Sequence, residues 1–226
     1  MEMIKVFGLP FSACTATVLA CLNEKEVAYQ VIPVDILAGD HKRPPFLSIN
    51  PFGQIPAVQD GALTLIESRA IVKYLAKKFQ GSTCDLLGKT IAEQAVVEQW
   101  CEVESQKFNP PFYAIIEQVF INPMKGLGPT DELLLDRNVE KLGKVLDVYE
   151  ERLSKSKYLA GDSFTLADLH HLPYLHYLVN AVGKGDLVFS RSNVHAWWED
   201  ISSRPAWKKV AHNMKLPSLP CIPSQK

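Results

Sequence analysis

Residues 50 to 75, NPFGQIPAVQDGALTLIESRAIVKYL, constrain the fold more than any other stretch of the chain. Ala57-Val58 is apolar, Asp60-Gly61 signals a tight turn and Leu63-Thr64-Leu65 alternates, so the stretch reads as a hairpin. Glu67-Ser68-Arg69 then opens a helix in which Ala70, Ile71, Tyr74 and Leu75 recur at helical spacing. Pro56 cannot donate to a ladder, so it is either a strand starter or a cis turn that aims the Ile55 backbone outward. A free Ile55 backbone pairs with an extended ligand as one more strand would. A hydroxyl and amide donors at a helix start receive a carboxylate, which the helix dipole also favours. These two features suggest a small-peptide site; the plainer reading is a hairpin followed by a capped helix.

The segments before the hairpin fix its context. Met3-Ile4-Lys5-Val6-Phe7-Gly8 alternates and ends at Gly, the mark of a strand. Leu9-Pro10-Phe11 is a loop, and Val18, Leu19, Cys21 and Leu22 mark a helix from Ser12 to near Lys25. Tyr29 to Val34 is a second strand, with Pro33 suggesting an edge. The polar AGDHKRPPFLSIN reads as a loop with one irregular helical turn. Strand, helix, strand, loop, hairpin and helix within 80 residues is a βαβ unit joined to a ββα unit, the order of a thioredoxin-like α/β domain.

After Phe79 no strong strand signal follows. Residues 90–121 and 131–154 carry long helical patterns, the first expected to kink at Pro110-Pro111. Leu142, Val145, Leu146, Tyr149 and Leu153 form one apolar stripe. NPMKGLGPT, 122–130, reads as a mobile loop, and shorter helices are expected at 165–181, 190–202 and 204–213. Thr165-Leu166-Ala167-Asp168 fits a capping box, with Phe164 and Leu169 at its staple positions, so Asp168 is assigned to folding rather than catalysis. The expected division is therefore 1–80, a linker at 81–89, an all-helical domain at 90–213 and a loose tail at 214–226.

A chain of 226 residues with 47% hydrophobic residues has room for one or two domains with a substantial core. A net charge of −1 gives no electrostatic reason to bind nucleic acid or an anionic membrane. No apolar run approaches the roughly 20 residues of a membrane span, and MEMIKVFG lacks a signal-peptide pattern. The 5 cysteines are odd in number and include no C-x-x-C pair, which argues against disulfides and zinc and for a reducing cytosol. Cys21 and Cys101 read as apolar packing, Cys221 as solvent-accessible in the tail. The histidines His170, His171 and His176 lack metal-ligand spacing, and Trp197, Trp198 and Trp207 read as packing residues.

Ser12 stands just before the first helix, where donors and dipole stabilise an anion. No neighbouring His or Asp makes it a nucleophile. Taken alone it is an N-cap, yet its hydroxyl can donate to a thiolate brought by a ligand and lower that thiol's pKa from about 8.5 toward neutrality. Cys14, in the same turn, is the competing candidate as a low-pKa thiol.

NPFGQIP followed by ESRAI resembles the glutathione-binding half of glutathione transferases of the plant phi class, and the likeness runs to about residue 210. GLPFSACT is similar to the phi segment that carries the catalytic serine, which implies that role for Ser12. The resemblance implies that His41 and Lys42, in GDHKRPPF, hold the glycine carboxylate of glutathione. It implies that Gln54 and Ile55 meet the cysteinyl backbone ahead of a cis Pro56, and that Glu67 and Ser68 hold the γ-glutamyl amine and carboxylate. Charge agrees with role: Glu67 suits an ammonium and Lys42 a carboxylate. By the same analogy Phe11, Ile36, Phe112 and Ile116 line an electrophile pocket, and Phe52 inserts into the partner subunit of a homodimer. One departure is that phi sequences commonly carry an Arg in the first helical turn after the serine, whereas here Ala16 follows Thr15. Glutaredoxins and the dehydroascorbate-reductase branch hold Cys where this chain has Ser12, two residues before Cys14.

The expectation is thus a thioredoxin-like domain followed by an all-α bundle in a cytoplasmic homodimer. It conjugates the glutathione thiolate to small hydrophobic electrophiles, with peroxide reduction as a side activity. Glutathione is a cosubstrate, and neither a cofactor nor a metal is expected. The alternatives are a non-catalytic carrier of flavonoid-like metabolites and a Cys14 thiol-disulfide oxidoreductase.

Overall fold

The computed structural model describes residues 3–81 and 84–215. Its first part is β1 (Ile4–Gly8), α1 (Ala13–Glu24), β2 (Tyr29–Pro33), α2 (Pro44–Leu47), β3 (Ala57–Asp60), β4 (Leu63–Ile66) and α3 (Ser68–Lys78). The four strands lie in the order β2-β1-β3-β4, with β1 and β2 parallel and the other pairs antiparallel. This is the thioredoxin-like sheet, and Pro33 ends an edge strand as expected. The hairpin closes through Gly61-Ala62, with Gly61 at φ 59°, a left-handed value that suits glycine.

Helix α1 has no polar face: Thr15 through Leu22 are all buried. A helix apolar on every side must be covered on every side. It packs on α3 and, across the molecule, on α9 (Leu172–Asn180) and α12 (Pro205–Ala211). At its end the buried Glu24 accepts two bonds from Arg204, at 2.6 and 2.7 Å, which bind the two halves together.

The helical part runs α4 (Ile91–Val103), α5 (Asn109–Ile116), α6 (Asn122–Lys125), α7 (Glu132–Leu153), α8 (Leu166–Leu169), α9, α10 (Asp186–Phe189), α11 (Ser192–Ser203) and α12. Two π-helical turns, Glu104–Phe108 and Glu117–Ile121, join α4, α5 and α6 into one long helical course. Pro110 and Pro111 therefore sit in the first turn of α5, directly after the first π turn. The expected loop at 122–130 is corrected likewise: 122–125 are helical, with Pro123 in the first turn, and the helix ends at Gly126, φ 66°. The single helix expected at 165–181 is two, because Pro173 cannot donate back to the preceding turn.

Trp197, Trp198, Trp207, His170 and His171 are buried. Burial pushes the thiols of Cys21 and Cys101 up to about 12, so both are inert packing groups. Met214, expected to begin a loose tail, is buried, whereas Ser82, Thr83 and the tail with Cys221 lie outside the described residues. Among the described residues no helix is long and apolar enough to cross a membrane, and no acidic, His or Cys cluster could hold a metal.

Candidate functional site

Sheet register explains why distant segments meet. Phe7 pairs with Ile32 on one side and Ala57 on the other, and Ala57 pairs with Ile66. The chain leaves β1 toward Ser12 and β2 toward His41 at this end of the sheet. It also enters β3 from Ile55-Pro56 and leaves β4 into Glu67-Ser68 there. Strands stand about 4.8 Å apart, so the row from β1 to β4 spans roughly 10 Å. An extended tripeptide is also about 10 Å long. The sequence-derived candidates Ser12, His41, Lys42, Gln54, Ile55, Pro56, Glu67 and Ser68 therefore share one edge.

Ser12 caps α1: its Oγ accepts from the Thr15 N–H at 3.4 Å, a long bond. Its own hydroxyl proton has no acceptor among the described residues. Ala16 N–H is the first to bond back, to the Ser12 carbonyl at 2.8 Å, so Ala13 and Cys14 leave unmatched N–H groups at the helix start. Ser12 is half-buried, and its flanks face the helical part. The Tyr177 hydroxyl donates to the Phe11 carbonyl, and Cys14 Sγ lies 3.7 Å from the Tyr174 hydroxyl. Ala16 is fully buried, so this turn is closely packed.

Ile55-Pro56 is a cis peptide bond. Ile55 lies beyond the last paired residue of β3, Ala57, and so outside the ladder. Asn50, buried and unnoticed in the sequence, holds the loop ahead of it: its Nδ2 donates to the Gln54 carbonyl at 2.6 Å and its Oδ1 accepts from Phe52 N–H at 3.0 Å. Lys42 Nζ donates to the Phe52 carbonyl at 3.0 Å, tying the 40–42 turn to the same loop. Gly53 is required here, since a Cβ on it would come within 2.6 Å of the His41 carbonyl oxygen. The Phe52 ring is 66% exposed.

At the third corner, Glu67 has φ 66° and ψ 108°, a strained conformation for a residue with a Cβ. Ser68 to Ala70 begin α3, and the first return bond is Ile71 N–H to the Glu67 carbonyl at 2.9 Å. No side chain among the described residues caps this end, so its first N–H groups lack intrahelical partners, with the buried Ser68 beside them. Arg69 anchors the corner by a two-pronged pair with Glu104, at 2.8 and 2.9 Å, across to the helical part. Burial pushes the Glu104 carboxyl up to about 7, against the pull of the Arg69 guanidinium.

The electrophile-pocket candidates are less united. Phe11, Ile36 and Ile116 are half-buried, but Phe112 is only 3% exposed, stacked with Phe108 and edge-on to Tyr174. It is a core residue. A separate cleft of about 760 Å³, reached by Cys84, Lys89, Tyr158 and Arg204, contains none of the candidates.

Residues 2–77 match the family model described as glutathione S-transferase, N-terminal domain, and residues 110–205 match the corresponding C-terminal domain. Glutathione S-transferase F13 of Arabidopsis thaliana is 50% identical over 94% of this chain and 97% of its own length. The crystal structure of glutathione transferase F7 from Populus trichocarpa superposes with a TM-score of 0.91 at 52% identity, covering 95% of this chain and all of that one (100%). A glutathione S-transferase-I structure bound with lactoylglutathione has a TM-score of 0.87 at 41% identity, covering 94% and 100%. On fold, both domain matches and identity over nearly its whole length, the chain belongs to the glutathione S-transferase family, in its plant phi class.

Proposed function

We propose that the chain conjugates glutathione to small hydrophobic electrophiles, with Ser12 donating a hydrogen bond that stabilises the glutathione thiolate. The observation that carries this reading is the Ser12 hydroxyl: half-buried at the start of α1, beside unmatched N–H groups, with no acceptor for its proton among the described residues. A thiolate at that point meets a hydroxyl donor and the positive end of a helix, which together lower its pKa. His41 and Lys42 take the glycine carboxylate, Gln54 and Ile55 the cysteinyl backbone, and Glu67 and Ser68 the γ-glutamyl end. Their shared sheet edge supports that order. Holding the sulfur in place converts a bimolecular attack into a positioned one. The same thiolate would reduce peroxides as a side reaction. The working protein is a cytoplasmic homodimer in this reading, and the exposed Phe52 is the side chain offered to its partner. Cys14 faces Tyr174 rather than standing at the helix cap, which favours the serine over a thiol-disulfide mechanism.

Steady-state kinetics with glutathione and a chlorodinitrobenzene test this directly. Ser12→Ala is expected to lower kcat about a hundredfold, the loss usual for one donor to a developing or stabilised anion, while calorimetric affinity for glutathione stays within a few-fold. Cys14→Ser is expected to retain most of the conjugating activity. A thiol-disulfide activity abolished by Cys14→Ser would make the chain a Cys14 oxidoreductase, and ligand binding indifferent to Ser12→Ala, without measurable conjugation, would leave the carrier.

A further inference from the structure

The turn that carries Ser12 is built from Leu9, Pro10, Phe11 and Ser12. Pro10 presets the second position of that turn, and the Ser12 N–H closes it on the Leu9 carbonyl at 3.0 Å. The carbonyl of the same Phe11–Ser12 peptide points the other way, because a trans peptide sets its N–H and C=O on opposite edges of one plane. There it accepts from the Tyr177 hydroxyl, and from no other donor among the described residues. The carbonyl of Ser12 itself accepts from the Ala16 N–H at 2.8 Å. The backbone on both sides of Ser12 is thus held, at φ −69° and ψ 123°, and its hydroxyl keeps only the rotation about its side-chain bond. The Leu9 and Ala16 ties are local, whereas the Tyr177 tie comes from α9, 166 positions away. Tyr177 is buried, and burial raises its hydroxyl above the usual phenol range, so it stays a donor at every working pH. Tyr174, one turn back on the same face of α9, puts its hydroxyl 3.7 Å from Cys14 Sγ, on the other side of Ser12 in the chain. A contact to sulfur is weak, and it leaves the peptide before Ser12 to Tyr177.

We infer that Tyr177 is a positioning residue for Ser12: by holding the Phe11 carbonyl it fixes the peptide that aims the Ser12 hydroxyl, and it does so from the helical part of the molecule. The inference rests on the Ser12 reading above and adds what directs that hydroxyl. Without the Tyr177 hydroxyl the Phe11 carbonyl loses its partner, and the peptide plane is held at one edge only, by Leu9. The Ser12 Oγ, already on a long 3.4 Å bond from the Thr15 N–H, then spreads over more positions around the sulfur it serves. The packing of α9 on α1 therefore governs the chemistry as well as the stability.

The test compares wild type, Tyr177→Phe, Tyr174→Phe, Ser12→Ala and the double variant Ser12→Ala with Tyr177→Phe, each as the full chain, with glutathione and a chlorodinitrobenzene. Tyr177→Phe keeps the ring in its packing and removes one hydroxyl. It is expected to lower kcat about tenfold, well short of the loss expected for Ser12→Ala, with KM for glutathione within about twofold. The thiolate titration of bound glutathione should move upward by about half a pH unit. In the Ser12→Ala background the same change should leave kcat within about twofold, since no hydroxyl remains to be aimed. Tyr174→Phe should leave kcat and the thiolate midpoint at their wild-type values. Wild-type kcat and midpoint in Tyr177→Phe would overturn the assignment. So would an equal loss in both backgrounds, an equal loss in Tyr174→Phe, or a lower melting temperature with the midpoint unmoved, since Tyr177 would then serve packing alone. If Ser12→Ala itself leaves conjugation unchanged, the underlying reading falls and this assignment falls with it. A large Ser12→Ala loss without coupling to Tyr177 removes the assignment alone.

Discussion

Asp168→Asn is expected to lower the melting temperature by roughly 10 °C, with a loss of about 3 kcal/mol of stability. Asp168 is fully buried and accepts four bonds: from Leu159 N–H at 3.0 Å, Trp197 Nε1–H at 2.9 Å, Thr165 N–H at 3.0 Å and the Thr165 hydroxyl at 3.3 Å. Burial pushes its carboxyl up to about 6, while those donors hold it ionised at neutral pH. An asparagine matches the shape but turns one acceptor into a donor. That NH₂ then faces either the Leu159 and Trp197 donors or the Thr165 N–H, so at least one buried N–H loses its partner. Asp168→Ala removes every acceptor and is expected to cost about 4 kcal/mol. The effect reaches far because three segments converge on this one side chain: the 158–161 turn, the start of α8 and α11. Denaturant unfolding measures it, and an Asn variant within 0.5 kcal/mol of wild type, roughly the size of an ordinary surface change, would show that the network holds little.

Arg69→Leu is expected to cost about 3 kcal/mol, at the lower end for a broken buried pair because the arginine side chain is one-third exposed (34%) while Glu104 is wholly buried. It also removes the support beneath Ser68, so KM for glutathione should rise while kcat changes less. The pH dependence has a definite sign. Glu104 without its cation has a folded pKa raised further above the unfolded value of about 4.3. The folded state then binds the proton more tightly, so stability is lost as pH rises through that interval, at up to about 1.4 kcal/mol per pH unit. The variant should accordingly lie closer to wild type at pH 5 than at pH 8. Equal destabilisation at both values would mean that Glu104 is not left as an uncompensated charge.

The half of the molecule that bears the site was legible because its signals are local. Gly8, Pro33, Pro56 and Asp60-Gly61 punctuate the strands, and Val18, Leu19, Cys21 and Leu22 mark α1 by their helical spacing. Thr165 to Asp168 announced their cap for the same reason. What stayed hidden depends on partners distant in sequence. Arg69 and Glu104 are 35 positions apart and meet only when α3 packs on the π turn after α4. Tyr177 meets the Phe11 carbonyl across 166 positions. Asn50 looks like an ordinary turn residue until both of its bonds are seen. The π turns at 104–108 and 117–121 have no local signature, and without them the prolines at 110, 111 and 123 read as breaks rather than as first-turn residues. The pocket role of Phe112 came only from the resemblance, and its aromatic partners, Phe108 and Tyr174, arrive from a π turn and from α9.

The account depends on the Ser12 hydroxyl meeting the sulfur of bound glutathione. The most direct test is a pH titration of the thiolate's ultraviolet absorbance in the enzyme–glutathione complex, wild type against Ser12→Ala. Wild type should titrate at least one unit below the free thiol's value of about 8.5, and the variant should move back toward it. Superimposable curves, or a wild-type midpoint no lower than that of free glutathione, would contradict the claim.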